Sequence, residues 1–125
     1  MAEVTTEKNE KIAEMNFGAI YPHYLNRIEK HGRTKEELDH VILWLTGHDQ
    51  GTLDSFISGT GTFGDFFENA RIHENAHMIK GIVCGYRIED IPEEFSLYRD
   101  CRRMEKLIDE LAKGRKMEKI LREEK

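Results

Sequence analysis

The sequence predicts an all-α protein, a compact single-domain bundle of about six helices. An α+β variant with a short strand near Ile82–Ile88 is the alternative. Three observations point there. The chain has 125 residues, the size of one domain. It contains only two prolines, Pro22 and Pro92, so little interrupts a helical run. Its apolar residues recur mostly at spacings of three and four, the period of a buried helical face.

Residues 1–11 are expected to be loose or frayed, and residues 12–125 to form the domain. A short first helix, from about Glu7 to Met15, buries Ile12 and Met15, and Gly18 breaks it. A second helix carries Tyr21, Tyr24, Leu25 and Ile28 on one face, with Pro22 tolerable only in its first turn. Gly32 follows Lys30 and His31, as at a helix C-terminus. Thr34 and Glu37 have the spacing of a capping box. They open a helix with the stripe Leu38, Val41, Ile42 and Leu45, widened by Trp44 and ended by Gly47. Asp49 caps a helix that buries Leu53, Phe56 and Ile57. Thr62 and Asp65 repeat the box before Phe63, Phe66, Phe67 and Ala70. The segment 78–88 suits either a helix ending at Gly85 or a strand. A lone strand would have no partner elsewhere in the chain, so a helix is expected. After Pro92 comes the longest helix, with Leu97, Cys101, Met104, Leu107, Ile108 and Leu111 inward. Gly114 interrupts it, and Met117, Ile120 and Leu121 make a last apolar turn.

Composition narrows the function classes. With 38% hydrophobic and 34% charged residues, a modest core sits under a charged surface. No apolar run approaches a membrane span, and Met1–Thr6 lacks the basic and apolar parts of a signal peptide. Two cysteines, Cys84 and Cys101, make no disulfide framework, so reduced thiols in the cytoplasm are expected. The net charge of −5 argues against nucleic acid, whose binders concentrate basic residues on one face. That charge is uneven: Asp49–Ala70 holds four acids and no Lys or Arg, whereas Arg99–Lys125 holds ten bases against seven acids. The basic end reads as a solvated, mixed-charge helix face.

Several strings point to a family: Ile12-Ala13-Glu14-Met15, Tyr21-Pro22-His23-Tyr24, Gly32-Arg33-Thr34-Lys35-Glu36-Glu37 and Trp44-Leu45-Thr46-Gly47. Phe66-Phe67 and Val83-Cys84-Gly85-Tyr86-Arg87-Ile88-Glu89 follow. Asp109-Glu110-Leu111-Ala112-Lys113-Gly114 and Met117-Glu118-Lys119-Ile120-Leu121-Arg122 complete the set. Together, in order from about Ile12 to Arg122, they resemble the small bacterial family catalogued as domain of unknown function 2200. The resemblance implies a stand-alone cytoplasmic bacterial protein and supplies no catalytic residues. Ile72–His77, where an Asn-Pro-Asn-like loop is expected, and Pro92–Arg103 depart from the pattern.

Four motifs could carry chemistry. His73-Glu74-Asn75-Ala76-His77 matches the H-E-x-x-H zinc motif. On a helix His73 and His77 would share a Zn²⁺, Glu74 would activate water, and Glu89, Glu93 or Glu94 would add a third ligand. Against it, Asn75 is a poor helix former and no apolar stripe precedes His73. Gly59–Gly64 spells G-x-G-x-x-G, yet it follows a helical pattern rather than a strand and reads as a connection ending at the Thr62 cap. Helix, Gly47-His48 and helix suggest a helix-turn-helix, but Gly51–Ser58 has no base to meet phosphate. Cys84, with Arg87 three residues on, would be a reactive thiolate if that cation lowered its pKa. A Cys on an apolar stretch is also a small buried hydrophobe, the reading preferred for Cys84 and for Cys101.

Without a convincing catalytic set, the sequence favours a binding or assembly module over an enzyme. It is expected to form homo-oligomers through Met104, Leu107, Leu111, Met117 and Leu121, or to meet a protein partner, with no metal or cofactor. The rivals are a small zinc-dependent hydrolase using Glu74, His73 and His77, and a thiol enzyme using Cys84.

Overall fold

The computed structural model describes residues 4–122. Among the described residues seven helices follow one another: α1 (Thr6–Ala13), α2 (Phe17–Glu29), α3 (Lys35–Thr46), α4 (Gln50–Ser58), α5 (Phe63–Glu68), α6 (Ser96–Ala112) and α7 (Met117–Ile120). Between α5 and α6 lie the strands β1 (Ile82–Val83) and β2 (Tyr86–Arg87), with short 3₁₀ turns on either side. The fold is therefore mostly α, as expected, with one two-stranded antiparallel hairpin.

Local chemistry starts most helices. The Thr34–Glu37 and Thr62–Asp65 capping boxes are both complete, and Asp49 accepts from the Thr52 amide. Each such cap satisfies amides that a helix start leaves free, and is worth about 1 kcal/mol. α1 is capped by Thr5 and begins one residue before the helix start expected at about Glu7, within the stretch expected to be loose or frayed; Met1–Glu3 lie outside the described residues.

Tertiary contact overrides two expectations. Gly18 does not break a helix but sits inside α2, because α4 passes so close that a Cβ there would lie 2.4 Å from the Ile57 carbonyl oxygen. The break falls earlier, at Asn16, whose side chain caps α2. Pro22 lies in the second turn of α2, beyond the first-turn position expected, and offers no amide to the Gly18 carbonyl.

α6 is the central element, touching α1, α2, α3, α5, α7 and β1. Its buried residues Tyr98, Cys101, Met104, Leu107, Ile108 and Leu111 keep the three-and-four spacing. On one side Phe17, Phe63 and Phe66 are fully buried; the Phe17 and Phe66 rings stack at 4.3 Å and Phe56 meets Phe66 edge-on at 5.1 Å. The α2 and α5 starts are tied by Phe17 N–H to Gly61 O (3.0 Å) and Phe63 N–H to Met15 O (2.9 Å).

The residues expected at an interface lie on the C-terminal face. After Gly114 the chain turns back, and Ile120 and Leu121 cover α6. Met104, Leu107 and Leu111 are 0% exposed and Leu121 6%, while Met117 packs against the same core. In the single chain these side chains pack inside the subunit, Met117 only partly buried. A polar latch holds the turn: Glu110, 6% exposed, takes two hydrogen bonds from Arg122 and one from Arg115, all within 2.8–2.9 Å. The mixed charge of the last third is likewise paired locally, as in Arg102–Glu105, Arg103–Asp100 and Lys113–Asp109.

Candidate functional site

The hairpin replaces the helix expected over residues 79–85. The missing partner of the strand lies in the same segment: Val83 faces Tyr86 and Ile82 faces Arg87. The two residues between are both left-handed, Cys84 with φ 52° and Gly85 with φ 84°, the backbone that a tight two-residue hairpin requires. Gly85 adopts it freely, whereas Cys84 holds it at a cost of about 1 kcal/mol.

This turn delivers two side chains to α6. Cys84, exposed, donates its thiol to Glu105 at 3.8 Å. Glu105 pairs with Arg102. Partial burial, then Glu105, push the thiol pKa up, with Arg102 and Arg27 opposing. The chief charges acting on Cys84 are thus these three, not Arg87, and their balance favours the protonated thiol. Cys101 is fully buried, which raises its pKa further.

Tyr86, two residues on, enters an aromatic cluster with Tyr98, their rings edge-on at 5.3 Å. Arg102 lies over both rings, 5.0 Å from the Tyr86 centroid and 4.7 Å from that of Tyr98, and donates to the Tyr98 hydroxyl at 2.6 Å. Lys8, from α1, donates to the Tyr86 hydroxyl at 3.0 Å and lies 5.4 Å from its ring centre. Cations over ring faces are attracted by the ring quadrupole. α1 is itself fixed to α6, because Asn9 accepts from the Tyr98 amide (3.2 Å) and so caps an otherwise uncapped helix start. Lys8, Lys11, Ile12, Met15, Tyr86, Tyr98 and Arg102 together line a cleft of about 240 Å³.

The hydroxyls are unequal. Hydrogen bonding from Tyr98, then from Lys8, draws the Tyr86 pKa below the ordinary tyrosine value. Burial, then the hydrogen bond to Tyr86, pushes Tyr98 up to about 12. No sequence spacing marked this cluster, since its parts come from residues 8–15, 86 and 98–102. The one local signal was Tyr98–Arg102–Glu105, one turn apart on a helix.

The H-E-x-x-H residues lie elsewhere and are not on an α-helix; Ala76–Met78 is a 3₁₀ turn. His73 stacks on Trp44 at 4.2 Å and accepts from the Asn75 amide, while a ring nitrogen of His77 lies 2.9 Å from the Glu74 carbonyl oxygen. Of the third-ligand candidates, Glu89 binds the Gly81 amide and Glu93 pairs with Arg99. Among the described residues no three His, Cys, Asp or Glu side chains are grouped to hold a metal ion. Also among them, no helix is long and apolar enough to cross a membrane.

Known proteins place the chain by fold and sequence. The crystal structure of uncharacterized protein SP1917 superposes with a TM-score of 0.83 at 34% identity, over 90% of this chain and 91% of that one. No curated protein matches the chain. The family described as an uncharacterized protein conserved in bacteria, domain of unknown function 2200, matches residues 11–122. With nearly the whole domain covered by that match, the chain belongs to this bacterial family.

Proposed function

We propose that the protein is a small binding module, and that its ligand is an anion with a flat or apolar body held in the cleft between α1, β2 and α6. The observation that carries this is the pairing of cations with rings: Lys8 and Arg102 over Tyr86, and Arg102 over Tyr98. Both cations are held in place before a ligand arrives, so little ordering remains to oppose binding. Lys11 adds charge at the rim, and Ile12 and Met15 supply an apolar wall, Met15 being 39% exposed. A volume near 240 Å³ suits one ring and one acidic group, below the range for drug-sized ligands.

One larger cleft supports a ligand less. The larger one between α3 and α4 is lined by Lys35, Asp39, Gln50 and Asp54, which satisfy one another: Asp39 receives Lys35 at 2.6 Å and Gln50 at 3.0 Å, and Gln50 also reaches Asp54. A cytoplasmic setting and self-association remain part of this proposal. Two free thiols suit a reducing compartment, and self-association would use a surface other than the one α7 covers.

The test is a thermal melt against benzoate, phenyl phosphate and inorganic phosphate, with neutral benzamide as control. Ligand bound only by the folded state raises the melting temperature. The two aromatic anions should stabilise the wild type more than benzamide does, and Lys11→Glu should remove most of that gain. Equal responses to benzoate and benzamide would sink the proposal.

A further inference from the structure

α1 turns a graded stripe toward the cleft. Lys8, Lys11, Ile12 and Met15 line it, and steps of three, one and three residues put them on one helical face. The acids Glu7, Glu10 and Glu14 fall on a different stripe of the same helix. The cleft stripe is thus cationic at its start and apolar at its end. Ile12, half-buried, packs against the Tyr86–Tyr98 cluster. Met15, expected on the buried face of the first helix, is instead 39% exposed. Its backbone is nonetheless fixed, because its N–H donates to Ile12 O at 3.2 Å and its carbonyl receives Phe63 N–H at 2.9 Å. An exposed methionine on a fixed backbone is an adaptable apolar surface.

The tyrosine faces offer less to a flat ligand. Arg102 already lies over both rings, and Lys8 over that of Tyr86. The terminal nitrogens of Arg102 are spent on Glu105 and Tyr98, so an arriving carboxylate meets Lys11. We propose that the ligand is a medium-length alkyl carboxylate, with its carboxylate at Lys11 and its chain running along α1 past Ile12 to Met15. This rests on the anion-binding reading and names the class of ligand. From Lys8 to Met15 the stripe extends about 10 Å at 1.5 Å per residue, a length that octanoate fills and butyrate does not. Each methylene laid on its apolar half leaves water, so affinity climbs with chain length.

Calorimetric titration of the whole chain with butyrate, hexanoate and octanoate tests this. Each added methylene should tighten binding about two- to fourfold, and neutral hexanamide should bind about tenfold more weakly than hexanoate. Met15→Ser alters an exposed side chain and keeps the fold. It should leave butyrate unchanged and weaken octanoate about fivefold. Met78→Ser, at a methionine 40% exposed beside α7, should change neither. Lys11→Glu should weaken the whole series alike. A series with no rise, while benzoate still binds, overturns the alkyl-chain assignment and leaves the anion site standing. A rise that Met15→Ser does not reduce, or that Met78→Ser reduces equally, overturns it too, because the chain then lies elsewhere. If neither benzoate nor hexanoate binds, the anion-site reading falls and the alkyl-chain assignment falls with it.

Discussion

The molecule contains two aromatic clusters built at similar ring spacings and put to different use. Around α2, α4 and α5, Phe17, Phe56, Phe63 and Phe66 pack at 4.3–6.1 Å with no polar atom on the rings. Around α1, β2 and α6, Tyr86 and Tyr98 pack at 5.3 Å, but each hydroxyl must be matched by a donor or acceptor. Lys8 and Arg102 supply that match, and doing so places cations beside a cleft. The phenylalanine cluster thus works by excluding water. In the tyrosine cluster the hydroxyls bring charge into the fold, and a ligand site grows from the same packing.

The largest expected effect tests the dry side. Phe66→Ala removes a fully buried ring at the centre of four ring contacts and should cost about 4 kcal/mol in a denaturant melt. The surviving folded protein should respond to benzoate as the wild type does. A lost response at full folding would join the two clusters and break the comparison.

On the polar side, Tyr98→Phe keeps the ring and deletes the hydroxyl that receives Arg102. It should cost about 1 kcal/mol in a denaturant melt and raise the Tyr86 ionisation, read as tyrosinate absorbance across pH. Lys8→Met should leave stability within about 0.5 kcal/mol, as for a surface charge, while weakening benzoate. Such a split between stability and binding would mark Lys8 as a ligand-facing cation.

The smallest effect concerns acid. Burial opposes ionisation of Asp109, but Lys113 and Arg27 overcome it and hold the carboxyl below its ordinary value. A folded pKa below the unfolded one adds stability above the unfolded value, and that stability fades as pH falls through the folded one. Asp109→Asn should therefore lower stability near neutrality and flatten its decline below about pH 4. Chemical denaturation at several pH values measures both, and parallel curves for the two proteins would contradict it.

What could be read from the chain follows the same division. The caps at Thr34, Asp49 and Thr62 were legible because each needs only residues three apart. The α6 stripe and the phenylalanines were legible because helical period and hydrophobicity suffice. The hairpin was missed because its turn places Cys84 where Gly or Asn is the usual signal. Gly18 misled because its reason, the backbone of α4, lies about forty positions away in sequence and only in space beside it. The same leucines that suggested an interface are covered by α7, and no periodicity distinguishes a face covered by the chain itself from one covered by another copy. The cleft drew on three distant segments and had no spacing to betray it.

The comparison is tested most directly by following backbone amide resonances while benzoate is added. Shifts should gather at Lys8–Met15, Cys84–Arg87 and Tyr98–Arg102, saturate together, and leave Phe17, Phe56, Phe63 and Phe66 in place. Saturable shifts centred on the phenylalanine side, or none at the tyrosine cleft, would contradict the claim that the polar cluster is the binding site.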